Sequence, residues 1–474
     1  MYVFFEILAI FNLVSPLLTY GLAFLIGIAW HPIPAAALLI SCGRARLFLT
    51  LLVGIAGFAW NGANHRHPEG EIHEGEGVLA VSSIATKHFH GNLRYTFRGV
   101  FVEFMSGGKL YKNVPVTFSL SEKGPPHDSH WLASGKIIKR PQGWVYKPDR
   151  DQAWIKVVNS SNLAEWRFHL KEKVKKWVER TYPHPRAATL LSALLTGDID
   201  DRALTHDLRR FGLSHLLAIS GFHFALLATF VGALIKPWFL PKRASFLILI
   251  MLGAYFLFLG ASPSILRAFL TLFIFLLCPF FQGEARGENS LGLALIACLI
   301  VEPQWSQSIA FQLSFLATAA LLILFPPIDN WMKTWLVPRP SQTLEVLSLR
   351  QRIPLVLLSF IRQSFSLNIA VTLATFPVLL YLFHQFPLLT LLYNLFFPFL
   401  ISLSLFLLLI SLFIPWLHFL NSTYTNFILN LTHEPPHSWD RLIQTQSCTL
   451  EVTLLLISAL FLFVLHKKSL LKYA

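Results

Sequence analysis

Charge is what this chain has least of. Only 14% of its 474 residues are Asp, Glu, Lys or Arg, against about 25% in a soluble globular protein. Hydrophobic residues make up 54% and the mean hydropathy is +0.56. Such a chain cannot cover itself with polar surface, which excludes an ordinary soluble domain and predicts a polytopic membrane protein. Cysteine is also sparse. Cys42, Cys278, Cys298 and Cys448 lie in or beside apolar runs with no CxxC spacing. That excludes a disulfide framework and a cysteine zinc site, and reads the four as small buried hydrophobes. There is no GxxxxGK[ST] loop to cradle nucleotide phosphates and no HxHxDH metal cluster. No metal, cofactor or catalytic set is expected.

Two apparent motifs dissolve on inspection. Residues 433–437 read HEPPH, a literal HExxH. That chemistry needs a helix, and two interior prolines make a loop instead. AISGF around Ser220 lacks the glycine two positions before the serine and has no preceding strand, so it is not a hydrolase elbow.

What the chain does have is phenylalanine, 42 of them, and a formal charge of +14. In the first 60 residues, 8–30 form one apolar run long enough to span, and 33–42 and 47–60 are shorter runs split by Arg44 and Arg46. The short pair reads as a tight hairpin or a re-entrant pair. Without a basic leader or small-residue cleavage site, this region reads as retained anchors. Residues 61–160 change character. GVLAVSSIA, RYTFRGVFVEF, NVPVTFSL, WLASGKIIKR, GWVYK and WIKVV alternate with turn-forming MSGGK, KGPPHD and RPQG. Five or six short strands predict a small β-barrel inserted after the anchors.

That block also carries charge. Residues 78–158 hold 12 Lys/Arg against 5 Asp/Glu, a net +7. Arg94, Arg98, Lys112, Lys136, Lys139 and Arg140 are interleaved with Trp131, Trp144 and Tyr146. Cations that track a backbone and aromatics that stack bases, at about 1–3 kcal/mol each, are what single-stranded nucleic acid needs. A competing reading puts the aromatics in the barrel core and leaves the cations a solvated face.

Residues 161–200 predict amphipathic helices at the membrane interface. Leu163, Trp166, Leu170, Val174 and Trp177 recur at helical spacing. A Trp-bearing stripe opposite charged faces suits a helix lying in the headgroup layer. Residues 201–474 predict the membrane domain, with spans at 211–235, 244–260, 264–282, 288–302, 306–325, 366–384, 387–416 and 449–466. Basic loops at Lys236, Lys242 and Arg243, at Lys333, Arg339, Arg350 and Arg352, and at Lys467, Lys468 and Lys472 place those regions and the C-terminus in the cytoplasm. The β-domain then lies outside, and 387–416 crosses twice or re-enters.

Polar residues inside these spans are costly and mark interiors or aqueous paths. His215, His223, Arg267, Gln312 and Asn394 are of this kind. Gly221 and Pro398 are positions where helices weaken or break. At these residues the sequence resembles the ComEC family of competence proteins. The resemblance runs through LLSALLTGD and LRRFGLSHLLAISGFHFALL, LGASPSILRAFLTLF, PQWSQSIAFQLSFLATAALL, and VTLATFPVLLYLFHQFPLLTLLYNLFFPFLISL. It implies an OB-like external domain and a channel that moves single-stranded DNA across the bacterial inner membrane during natural transformation. By position it marks Asp198, Gly212, His215, Ser220, Gly221, His223, Ser262, Pro263, Arg267, Gln312, Ser314, Asn394 and Pro398 as pore structure. It further implies membrane lipids, an external DNA receptor, a cytoplasmic helicase or motor, and homo-oligomers as partners. Many members carry a metallo-β-lactamase-like domain for the other strand, so a separate nuclease is expected here. The alternative is a permease for a small solute or lipid on the same scaffold.

Overall fold

A computed structural model describes residues 53–60, 72–89, 92–120, 130–140, 143–149, 154–157, 163–199, 201–281, 287–336, 349–387, 389–433 and 442–444. The expected anchors before 53, the last span and residues 434–437 of HEPPH lie outside them.

The β-rich block forms six strands: β1 (Ile72–Phe89), β2 (Asn92–Ser106), β3 (Lys109–Leu120), β4 (His130–Arg140), β5 (Gly143–Pro148) and β6 (Ile155–Lys156). The sheet order is β1-β2-β3-β5-β4-β6, and β1 also pairs with β4. The pairings of β1 to β5 therefore return to their start, with β3 and β5 joined over two residue pairs. β3 and β5 run parallel and the other neighbours antiparallel. A long strand can serve both ends of such a circuit only if it bends. β1 breaks register between Val78 and Leu79 and between Val81 and Ser83, as bulges at sheet corners do. Gly75 and Gly135 face each other across β1 and β4. A Cβ at Gly75 would run into the Met105 carbonyl oxygen and one at Gly135 into that of Lys147, so the close approach requires glycine.

Alternation is clearer in burial than in residue type. In β3, Val114, Val116 and Phe118 point inward, and in β4 Trp131, Ala133 and Ile137 do. They meet Phe97, Phe101, Phe104 and Tyr146 in one core. Ala164 and Phe168 complete it from helix α1 (Leu163–Thr181), with Phe168 edge-on to Tyr95 at 6.1 Å.

The rest is helical: α2 (Pro185–Thr196), α3 (Arg202–Arg210), α4 (Gly221–Ile235), α5 (Pro241–Leu259), α6 (Pro263–Phe281), α7 (Gly287–Val301), α8 (Ile309–Ile323), α9 (Phe325–Leu336), α10 (Leu349–Phe383), α11 (Thr390–Ser411) and α12 (Leu417–His433). A ladder of three residue pairs joins β7 (Gln385–Pro387) to β8 (Leu442–Gln444). Among the described residues three helices, α5, residues 353–383 of α10, and α11, are long and apolar enough to cross a membrane. A fourth span exists if α8 and α9, bent by 47°, count as one. α4 and α7 have 15 residues each, about 22 Å of helix, short of a 30 Å hydrocarbon layer.

One expectation needs correction. Residues 387–416 do not cross twice. α11 runs unbroken through Pro398 to Ser411, with the Ser402 hydroxyl bonded to the Pro398 carbonyl. Residues 417–433, between the expected spans, are helix α12. Its Asn421, Ser422 and Thr425 are fully buried, and Ser404 of α11 bonds Asn421 at 3.1 Å.

Candidate functional site

GLSHLLAISGFHFALL is not one span. Gly212 takes φ 72°, a left-handed turn that glycine makes at no steric cost. A single 3-10 turn at Ser214–Leu216 follows. Exposed His215 stays beside the turn, its Nδ1 3.1 Å from the Gly212 carbonyl. The backbone is then extended at Ser220, and α4 begins at Gly221. Ser220 is the N-cap. Its hydroxyl accepts from the Phe222 N–H at 3.3 Å, and His223 Nδ1 accepts from the Ser220 N–H at 3.3 Å. This is a capping box with histidine in the place of Glu or Gln. His223 is thus a buried cap, and His215 sits on the turn outside the helix.

Against the start of α4 lies α6. Gly260, with φ 89°, ends α5, Ser262 follows, and Pro263 opens α6, so the expected junction is there. One turn in, Arg267 is only 8% exposed. Its Nε donates to the Ser314 hydroxyl of α8 at 2.8 Å. Its terminal nitrogens lie 3.6 and 4.0 Å from where a Cβ on Gly221 would stand. Ser220, Gly221, His223, Arg267 and Ser314 thus meet at one place. Gln312 is next to it in sequence but points elsewhere, donating to the Ser306 carbonyl at 3.0 Å. Asn394 and Pro398 belong to α11. Asn394 Nδ2 reaches Thr390 at 3.4 Å, and Tyr393 beside it packs edge-on to Phe211 at 4.7 Å.

Asp198 is drawn into a different arrangement. Gly197, left-handed at φ 74°, caps α2 and delivers Asp198 to α1. Lys171 donates to it at 3.1 Å and Lys175 stands 4.0 Å away. The lysines are 9% and 7% exposed. Burial lowers the Lys171 pKa from its ordinary value even though Asp198 pulls the other way. Arg167, on the same helix, fills the space in front of Gly260, where a Cβ would strike its guanidinium. α1 therefore presents a buried cationic side to α2 and to the end of α5. Its tryptophans point away, Trp166 54% and Trp177 37% exposed, with Leu170 partly so. At 100° per residue the Trp stripe and the buried side are about 130° apart. The corner after α1 is fastened to α11 and α12 through the Tyr182 hydroxyl, 3.3 Å from Ser411 Oγ and 3.0 Å from His418 Nδ1.

On the β-domain the aromatic platforms need correction. Trp131, Trp144 and Tyr146 are core residues, 4%, 8% and 1% exposed, and the Tyr146 hydroxyl is spent on the Ser134 carbonyl at 2.7 Å. Strand alternation turns them inward, so no base can stack on them. The cations do face out. Arg94 and Arg98 lie two outward positions apart on β2, and Lys139 and Arg140 lie near the β4–β5 turn. Lys112 is 3.7 Å from Glu103, and Lys136 is paired with Glu74. The expected basic set is therefore spread over the circuit. Among the described residues no group of three His, Cys, Asp or Glu is placed to hold a metal ion.

Sequence reasoning missed Lys171, Lys175 and Arg167 as site residues. The signal was present: at helical spacing they share a side of α1 distinct from its Trp stripe, and Asp198 follows a capping glycine.

The model of the family described as Competence protein matches residues 194–470, more than half of the chain and all of the helices that build the Ser220–Arg267 site. ComE operon protein 3 of Bacillus subtilis (strain 168) is 32% identical over 210 residues, which cover 44% of this chain and 24% of the relative. The chain thus matches about a quarter of that protein's length. No solved structure matches. On the family match, the chain belongs to the competence protein family of the ComEC type.

Proposed function

We propose that this protein conducts single-stranded DNA across the bacterial inner membrane during natural transformation. The observation that carries the proposal is Arg267, a cation buried among apolar helices inside the region that matches the competence family. A polyanion crossing hydrocarbon needs fixed positive charge along its path, because phosphates do not shed water into lipid. The chain works as a conduit and performs no chemistry on the strand. With no phosphate-cradling loop in its sequence, it relies on a cytoplasmic motor for work and on an external receptor for supply.

The β-domain is read as an OB-like barrel outside the membrane. Its strand order, with β1 paired to both β2 and β4 and β3 parallel to β5, supports the barrel. Arg94 and Arg98 on β2 face outward and would track a backbone there. α1, rooted in this core through Phe168, touches the C-terminal end of α5 at Gly260. The basic residues Lys236, Lys242 and Arg243 lie at the other end of that 19-residue helix, about 28 Å away. This separation supports a β-domain outside and basic loops inside. The outward Trp stripe of α1 would lie in the outer headgroup layer. Offered single strands labelled on the backbone, vesicles with the reconstituted chain should accumulate label in their lumen when a motor or potential is supplied; lumenal label no greater than in protein-free vesicles would overturn the reading.

A further inference from the structure

We infer that the first turn of α4 and the Arg267 guanidinium together form a binding site for one phosphate group of the passing strand, a point of charge selection inside the membrane domain. The inference deepens the proposed function and rests on it for the identity of the ligand.

Three observations carry it. First, Arg267 is more than nine-tenths buried, and its one side-chain hydrogen bond among the described residues goes to a neutral hydroxyl, Ser314. Second, four of the helices around it, α4, α5, α6 and α8, contain no Asp or Glu; α7, which also packs on α6, has its one acidic residue, Glu288, in its first turn, far along the helix from Cys298 in the cluster beside Arg267. A buried ion without an opposite charge is costly, several kcal/mol in order of magnitude, and a fold keeps one where something else neutralises it part of the time. Third, the terminal nitrogens are aimed at the start of α4, 3.6 and 4.0 Å from the Cβ position of Gly221. The start of a helix carries about half a positive charge. Two positive ends brought together repel in the empty site and cooperate once an anion sits between them. The cap takes up the Ser220 and Phe222 N–H groups and the Ser220 carbonyl those of His223 and Phe224, so the donor that the helix start offers a phosphate is the Gly221 N–H, and the guanidinium adds a two-pronged, charge-assisted contact. The glycine leaves the approach open. Ser220 and His223 keep that turn rigid by capping it, so the site is built before the ligand arrives.

The test uses the full chain in lipid nanodiscs with inorganic phosphate as the probe. Phosphate should protect the wild type against heat in a saturable way. Arg267→Gln, which can still reach Ser314 through its amide, should weaken apparent phosphate affinity roughly ten- to hundredfold, as expected for lost charge-assisted bonds. Without phosphate it should melt at or above the wild-type temperature, since an uncompensated charge has gone. Equal protection of both proteins, or no protection of the wild type, would overturn the site. Should Arg267→Gln fail to fold, Gly221→Val decides. It fills the approach, its Cβ 3.6 Å from the nearest terminal nitrogen of Arg267, and unchanged phosphate protection there counts against the site. Import of labelled DNA separates the two readings. Phosphate protection lost in Arg267→Gln, in cells that import DNA normally without the chain, keeps the site and removes DNA as cargo. Chain-dependent import undiminished in Arg267→Gln removes the site and keeps the channel.

Discussion

Lys171 donates to Asp198 at 3.1 Å from a side chain that is 9% exposed, on a helix whose tryptophans face the other way. That bond fastens α1, whose Phe168 is part of the β-domain core, to the end of α2. The two partners are not equivalent. Removing Lys171 leaves Asp198 with Lys175, whereas removing Asp198 takes from the buried Lys171 the carboxylate it donates to, while Lys175 keeps Glu172 at 3.8 Å. Asp198→Asn should therefore cost about 3–5 kcal/mol and Lys171→Met clearly less, measured by thermal unfolding in nanodiscs. Equal losses would mean the pair acts as an ordinary surface bridge. The pH dependence has a definite sign. With its pKa lowered by burial below the ordinary 10.5, Lys171 binds fewer protons folded than unfolded, so its contribution becomes more favourable as pH rises toward that value. The wild type should gain on Lys171→Met across the alkaline range; a constant gap would contradict the assignment.

Strand binding by the β-domain should depend on Arg94 and Arg98 and not on stacking. Alanine at both should weaken binding of single strands to the full chain and reduce the salt slope by about 0.7 per lost phosphate contact. Trp144→Phe should lower the melting temperature through core packing with binding of the folded fraction unchanged. A binding loss from Trp144→Phe with unaltered stability would restore the stacking role that burial takes from it.

Ser220→Ala removes the cap of α4. A cost of about 1 kcal/mol is expected, with a partial rescue by Asp at the same position, since Asp caps equally well. No change in melting temperature on Ser220→Ala would show that the Phe222 N–H finds another acceptor.

Trp166 should sit in lipid. In vesicles with bromine at shallow acyl positions, the fluorescence that Trp166→Phe removes should be the strongly quenched part. Loss of an unquenched, red-shifted part instead would place the stripe in water or against protein.

Much of this was legible beforehand because it depends on local rules. The turn-forming stretches MSGGK and RPQG separated the strands. Gly221 announced a break, and the helix does begin there. What stayed hidden depends on partners distant in sequence. Trp131 and Tyr146 have the composition of a stacking platform, and only the pairing of β4 with β1 and β5 decides that they point inward. Asn421, Ser422 and Thr425 make 417–433 look like a polar loop until α11 supplies Ser404 for the hydrogen bonds. Pro398 looks like a break, but α11 carries it within an unbroken helix.

Following backbone-labelled DNA in a strain that lacks this chain tests the central claim most directly. A conduit predicts that label collects outside the inner membrane, that none reaches the cytoplasm, and that the wild-type chain restores import. Cytoplasmic label at the wild-type level in the deletion strain would contradict the account.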